Sequence, residues 1–74
     1  MNINKPLIGI TPYYRPPSES RDFAPKQELN YVDLNYVRAV EQAGGVPLLL
    51  PHISDNQAIR QMAEMIDGLL LSGG

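Results

Sequence analysis

Three stretches of this chain hold residue types that could do chemistry, and a pair of glycines leads them. Ser72-Gly73-Gly74 follows the apolar run Leu69-Leu70-Leu71. A short apolar run that opens into Gly-Gly reads as a buried strand ending in a loop. With no Cβ in the way, a backbone N–H at Gly73 or Gly74 can approach a ligand closely. The second stretch is Tyr13-Tyr14-Arg15, two phenols and a guanidinium able to touch a substrate carboxylate. The third is His52, the single histidine. It has no partner carboxylate or second histidine at metal-ligand spacing, so it reads as a loop histidine whose ring offers one donor and one acceptor.

Composition removes several other chemistries. The 74 residues contain no cysteine, which excludes a disulfide, a thiolate metal site and a cysteine nucleophile within them. No metal or cofactor is called for. A formal net charge of −2 gives no reason to expect nucleic acid or an anionic membrane as a partner. No apolar run approaches the roughly 20 residues of a membrane span, and the N-terminus lacks a signal-peptide core. A soluble, cytoplasmic protein is the expectation.

The elements that must position these stretches alternate in type. Leu7-Ile8-Gly9-Ile10 reads as a first strand between Pro6 and Pro12, and Gly9 within it implies that another element packs closely there. From Pro12 to Leu29 no periodicity is visible, and four prolines punctuate a long loop. Such a loop reads either as a lid or substrate-contact segment, or as a surface loop with its tyrosines packed back on the body. Asn30 to Ala43 carries a helical stripe of Val32, Tyr36, Val40 and Ala43, with Asn30 as N-cap and Gly44-Gly45 as the stop. This helix is read as structural.

Val46 to Pro51 is apolar at nearly every position, the signature of a strand in a parallel sheet. Ser54-Asp55-Asn56-Gln57 matches a capping box, with Ser54 as N-cap. Ile59, Met62, Ala63 and Ile66 then follow at helical spacing. Leu69 to Leu71 forms the third strand.

The order is β-α-β-α-β, which predicts an α/β fold: an open parallel sheet with flanking helices, flavodoxin-like. Ligands bind such sheets beyond the carboxyl ends of the strands. Thr11-Pro12, Pro51-His52 and Ser72-Gly73-Gly74 should therefore share one edge. A third strand this apolar wants a neighbour on its open side. Residues 1–74 are accordingly expected to be the N-terminal portion of a larger three-layer domain, with 12–29 as a long loop within it.

A family resemblance rests on three segments. Lys5-Pro6-Leu7-Ile8-Gly9-Ile10-Thr11 resembles the opening strand of class I glutamine amidotransferase-like hydrolases. The nearest branch is that of the γ-glutamyl-γ-aminobutyrate hydrolases, grouped with the C26 cysteine peptidases. Tyr36 through Pro51 is similar to that branch's helix, Gly-Gly turn and second strand. Ile66 through Gly74 resembles its third strand and glycine loop.

The resemblance implies hydrolysis of a small γ-glutamyl amide through a cysteine thioester. Gly73 or Gly74 would supply backbone N–H groups to the oxyanion hole. The cysteine, histidine and glutamate of such a site have no counterpart here, because His52 lies in the wrong segment to be the base. The chain alone should be inactive, and a homo-oligomer is compatible with the family. Many members have proline where this chain has Ser72.

Two other readings share the pattern. The strands with Asp67-Gly68 and Ser72-Gly73 also resemble ligand-binding modules of sugar-responsive repressors and periplasmic binding proteins, which perform no chemistry. A nucleotide site at the Gly-Gly loop is a third reading; it would need a Gly-x-Gly-x-x-Gly or a phosphate-loop lysine, and the sequence ends before either could show.

Overall fold

The apolar runs pair as parallel strands, as their hydrophobic patterning requires. The computed structural model describes residues 4–72. Strand β1 (Leu7–Thr11) lies at the centre of a three-stranded sheet. In chain order the ribbon strands β2 (Tyr13–Arg15) and β3 (Leu29–Tyr31) come next, then helix α1 (Leu34–Gln42) and strand β4 (Val46–Leu49). Helix α2 (Asn56–Met65) and strand β5 (Gly68–Leu71) complete the described elements. β4 and β5 flank β1, both parallel to it, with Ile8 opposite Pro47 on one side and Gly68 on the other. Pro47 sits on an outer strand, where a missing N–H can face away from the ladder.

Each face of the sheet is set by a glycine that a larger residue would spoil. A methyl group at Gly45 would come within 3.1 Å of both Ile8 and Val40, so α1 lies tight against one face. On the other face, a methyl at Gly9 would come within 2.8 Å of Leu50 and 3.2 Å of Ile66. The close approach expected at Gly9 is therefore made by the residues on either side of α2. Ile10 is 1% exposed and anchors the core. Burial of a side chain that size contributes about 2 kcal/mol.

Asp67 closes the opposite end of the sheet: its N–H donates to Leu7 O (2.7 Å), and its carboxylate accepts from Leu7 N (2.8 Å). The apolar character expected of the third strand is visible at its edge, where Leu69 and Leu71 remain mostly exposed.

Three local expectations are corrected. The segment from Pro12 to Leu29 is not all loop, because its two ends pair as an antiparallel ribbon, Tyr13 opposite Tyr31 and Arg15 opposite Leu29. Between them, the Arg21 guanidinium donates to the carbonyls of Pro16, Phe23, Ala24 and Gln27 and so replaces the missing hydrophobic contacts. Asn30 belongs to β3 and does not cap α1. Asp33 is the N-cap, its side chain accepting from Asn35 N (2.9 Å). The second cap is Asp55, one residue after Ser54, accepting from Gln57 N (3.0 Å). In both cases the carboxylate meets an otherwise unpaired N–H at a positive helix end. The expected stop of α1 holds: Gly44 adopts φ +93°, and Gly45 N donates to Val40 O.

Candidate active site

Parallel pairing brings the carboxyl ends of β4, β1 and β5 to one edge, and the β2–β3 ribbon rises directly from that edge after Pro12. Successive residues of a strand face opposite ways. Tyr13 and Tyr14 therefore reach toward opposite flanks of the edge, Tyr13 to the tip of β5 and Tyr14 to the tip of β4.

At the tip of β5, Ser72 is 4% exposed and held on both sides. Its N–H donates to Thr11 Oγ1 (3.1 Å), a tie across β1 that a proline at this position could not make. Its carbonyl oxygen accepts two phenolic hydroxyls, Tyr13 and Tyr36, each at 3.2 Å. One carbonyl with both lone pairs engaged has little freedom to turn. The Ser72 hydroxyl itself is buried with no hydrogen-bond partner among the described residues. Tyr13 is further seated by stacking on Tyr31, with ring centroids 5.1 Å apart. Its pKa is raised above the ordinary 10.0, first by the adjacent Tyr36 hydroxyl and its charge, then by desolvation. The Tyr13 hydroxyl is accordingly a protonated donor at neutral pH.

At the tip of β4 the arrangement is more open. His52 N donates to Asn30 Oδ1 (2.7 Å), which ties the β4 tip to β3. The imidazole stacks on Tyr14, centroids 5.0 Å apart, and the Tyr14 hydroxyl donates to the Glu28 carboxylate. That bond is the first cause raising the Tyr14 pKa, with burial next. Tyr14, Glu28, Leu29, Asn30 and His52 line a cavity of about 230 Å³ that opens to solvent.

The residues singled out in the sequence are thus divided. Tyr13 joins the β5 tip. Tyr14 and His52 join each other at the β4 tip. Arg15 stands apart: its Nε donates to Tyr31 OH (3.0 Å) and its guanidinium lies 5.7 Å from that ring's centroid. Gly73 and Gly74, the expected oxyanion donors, lie outside the described residues.

Tyr36 falls on the apolar stripe of α1, which conceals its contact with Ser72 in the sequence. The available signal was chemical: a phenol among valines and alanines still needs a partner for its hydroxyl when packed inward. Glu28 and Asn30 carried no local signal, since only the ribbon pairing brings them to the edge.

No group of three potential metal ligands occurs among the described residues. No helix among them is long and apolar enough to cross a membrane.

Known proteins share this chain's pattern. The family model described as Peptidase C26 matches residues 6–74. A glutamine amidotransferase-like protein of Rickettsia prowazekii (strain Madrid E) is 40% identical over 78 aligned positions, which cover 95% of this chain and 24% of the relative. The chain thus spans about a quarter of the curated relative it matches. No solved structure matches it significantly.

Proposed function

Since the chain belongs to the peptidase C26 family of glutamine amidotransferase-like proteins, we propose that it supplies the oxyanion-binding edge of a hydrolase for small γ-glutamyl amides. Gly73 and Gly74 are the donors, through their backbone N–H groups. The observation that carries this reading is the tip of β5, where Ser72, the residue entering the glycine loop, is buried and bonded through both its N–H and its C=O.

In the proposed reaction a cysteine thiolate attacks the γ-amide carbon. The C=O electron pair moves onto oxygen, and the N–H donors hold the resulting negative charge. Collapse of this tetrahedral species breaks the C–N bond, and the amine leaves with a proton from a histidine. Water then adds to the thioester, releasing the γ-carboxylate and returning the thiol. Loss of one oxyanion donor in such a site typically costs about 10²–10³ in rate. The thiol is not among these 74 residues, so the nucleophile, the histidine and its glutamate belong to other segments, and the 74 residues alone are inactive. The site takes a small molecule, needs no cofactor, and works in the cytoplasm.

The coding sequence after Gly74 tests this. A Gly-x-Cys-x-Gly some tens of residues on, followed later by His-x-Glu, is expected. Its cysteine changed to alanine should abolish γ-glutamyl amide hydrolysis by the gene product. A continuation without cysteine would overturn the reading and favour a non-catalytic binding module, as would γ-glutamyl amide hydrolysis that persists without the thiol.

A further inference from the structure

We infer that the cavity between the end of β2 and the loop 16–28 is a binding site for a dianionic oxyanion of the phosphoryl type, gripped by Arg15 and framed by Arg21. The inference is independent of the hydrolase reading. Its centre is Arg15, which the sequence singles out and which belongs to neither strand tip.

Arg15, Pro16, Ser18, Ser20 and Arg21 line a cavity of about 470 Å³. Two arginines thus border one space, and no carboxylate lines it. Glu19 and Asp22, neighbours in the chain, are exposed and stand outside the lining. An arginine side chain does not lose its proton in a protein, so both charges are permanent. Among the described residues, their hydrogen bonds go to neutral groups: Arg15 to the Tyr31 phenol, Arg21 to the carbonyls of Pro16, Phe23, Ala24 and Gln27. Those carbonyls satisfy the donors of Arg21 without cancelling its charge. A cavity bordered by charges of one sign draws in a counter-ion, and two positive charges match a dianion better than a single carboxylate.

The donors are arranged for such a ligand. Arg15 uses only its Nε on the protein, 3.0 Å from Tyr31 OH. Both terminal nitrogens remain, the flat fork that grips two oxygens of one anion. The guanidinium lies 5.7 Å from the Tyr31 ring centroid, and that ring is itself stacked on Tyr13. The fork is therefore placed before a ligand arrives. The Ser18 and Ser20 hydroxyls lie 3.0 Å apart and bond each other. One O–H is used in that bond and the other is free to donate. Arg21 N donates to Ser18 O (3.2 Å) and Ser18 N to Pro25 O (2.8 Å), which closes the turn that carries both serines. Arg21 supplies framework and charge; Arg15 and the serines supply contacts. The cavity at the β4 tip has the opposite character, because Glu28 lines it.

Inorganic phosphate is the probe, titrated at low ionic strength into the gene product that contains this segment and followed by calorimetry and amide NMR spectra. Saturable binding is expected, with the largest shifts at Arg15 Nε–H and at the Ser18 and Ser20 amides. Sulfate should compete, and acetate should bind about tenfold more weakly or worse, since it carries half the charge. Arg15→Gln should weaken phosphate about tenfold or more, because it removes a charge-assisted fork. Arg15→Lys keeps the charge without the fork and should fall between the two. Changing Ser18 and Ser20 together to alanine should weaken binding a few-fold. Arg15 and Ser20 are exposed and Ser18 is half-buried, so these changes leave the core alone. The shift map of the unaltered protein needs no substitution and decides the location by itself.

Phosphate that does not saturate, or that shifts other residues and leaves Arg15 and the serines unmoved, would overturn the inference. So would Arg15→Gln binding phosphate as tightly as the wild type. Acetate binding as tightly as phosphate would overturn the assignment of a dianion. None of these results touches the proposed hydrolysis, and a protein without γ-glutamyl amide hydrolysis would leave the anion site standing.

Discussion

The tips of the two outer strands are held by one ribbon, yet they are held in opposite manners. At β5 the ribbon contributes Tyr13, and the contact is to main chain: a carbonyl with two donors and an N–H with one acceptor, around a residue that is nearly fully buried. At β4 it contributes Tyr14 and Asn30, and what it leaves accessible is side chain: the exposed His52 ring and the Glu28 carboxylate beside an open cavity. A short antiparallel ribbon does this by the pleat alone, because neighbouring residues face opposite ways. Fixed backbone donors suit charge that develops only in a transition state. Accessible side chains suit a ligand that must be met and released. Under the proposed function, the β5 tip is assigned to the reaction machinery and the β4 tip to substrate selection.

The sharpest way to break this contrast is to strip one tip at a time. Removing both hydroxyls at the β5 tip is expected to lower kcat by about 10² with KM unchanged. Removing the β4 side chains by His52→Ala or Tyr14→Phe should do the reverse, raising KM several-fold while kcat holds within twofold. Steady-state kinetics of the two sets decides it. If His52→Ala lowered kcat as strongly as the tyrosine pair, the β4 tip would have to be counted as machinery too.

A stability comparison comes next in size. Gly9→Ala places a methyl 2.8 Å from a Leu50 side-chain carbon, on the residue that leads out of β4. Relief requires Leu50 and Ile66 to shift, and overpacking of this kind costs about 1–3 kcal/mol. Because Leu50 N also donates to Ile10 O at 3.0 Å, the shift should loosen the β4 tip in particular. Amide exchange should speed up at Leu50 and His52 but not at Ser72. Equal acceleration at both tips would mean that they are not independently held.

The two tips also part company at high pH. Tyr13 and Tyr14 both have pKa values raised above 10.0 in the folded chain, Tyr13 chiefly by the Tyr36 hydroxyl and Tyr14 chiefly by Glu28. A raised value means that the folded state prefers the protonated phenol. The associated stability is fully present below pH 10 and is lost as pH rises through the raised folded values. Both groups are solvent-accessible, so the loss is modest. Thermal melts above pH 10 should show it, Tyr13→Phe should remove the β5 share, and Glu28→Gln should bring the Tyr14 titration, followed by ultraviolet absorbance, back toward 10.

Much of this frame was legible in the sequence, and the reasons it stopped being legible are specific. Alternating apolar strands and amphipathic helices were readable because their periodicities are local. So was the close packing at Gly9. The caps slipped because Ser54 and Asp55 are adjacent residues of similar capping strength, and local preference does not choose between them. Asn30 and Asp33 posed the same ambiguity. The ribbon stayed hidden because its strands are three residues each, separated by residues 16–28, and its partners are chosen by tertiary contacts such as the Tyr13–Tyr31 stack. Half of the candidate site went with it, since Glu28 and Asn30 reach the edge only through that pairing. Tyr36 was hidden differently: its ring obeys the helix's apolar pattern, and only its hydroxyl breaks it.

The smallest expected effect falls on Ser72 itself. Its hydroxyl is buried and finds no partner among the described residues. A buried hydroxyl left unpaired costs about 1–3 kcal/mol in desolvation. Ser72→Ala removes that group while keeping the N–H to Thr11 and the carbonyl to both tyrosines. In the 74-residue chain the change should therefore be neutral or stabilising by up to about 1 kcal/mol, once the small loss of packing is allowed for. Chemical denaturation measures it. The same substitution in the gene product is the informative partner: if the hydroxyl there meets a group that this segment lacks, Ser72→Ala becomes destabilising, and the sign reverses between the two proteins. A destabilisation already present in the 74-residue chain would mean that the hydroxyl is paired within it, and that the β5 tip is held by side chain as well as by backbone.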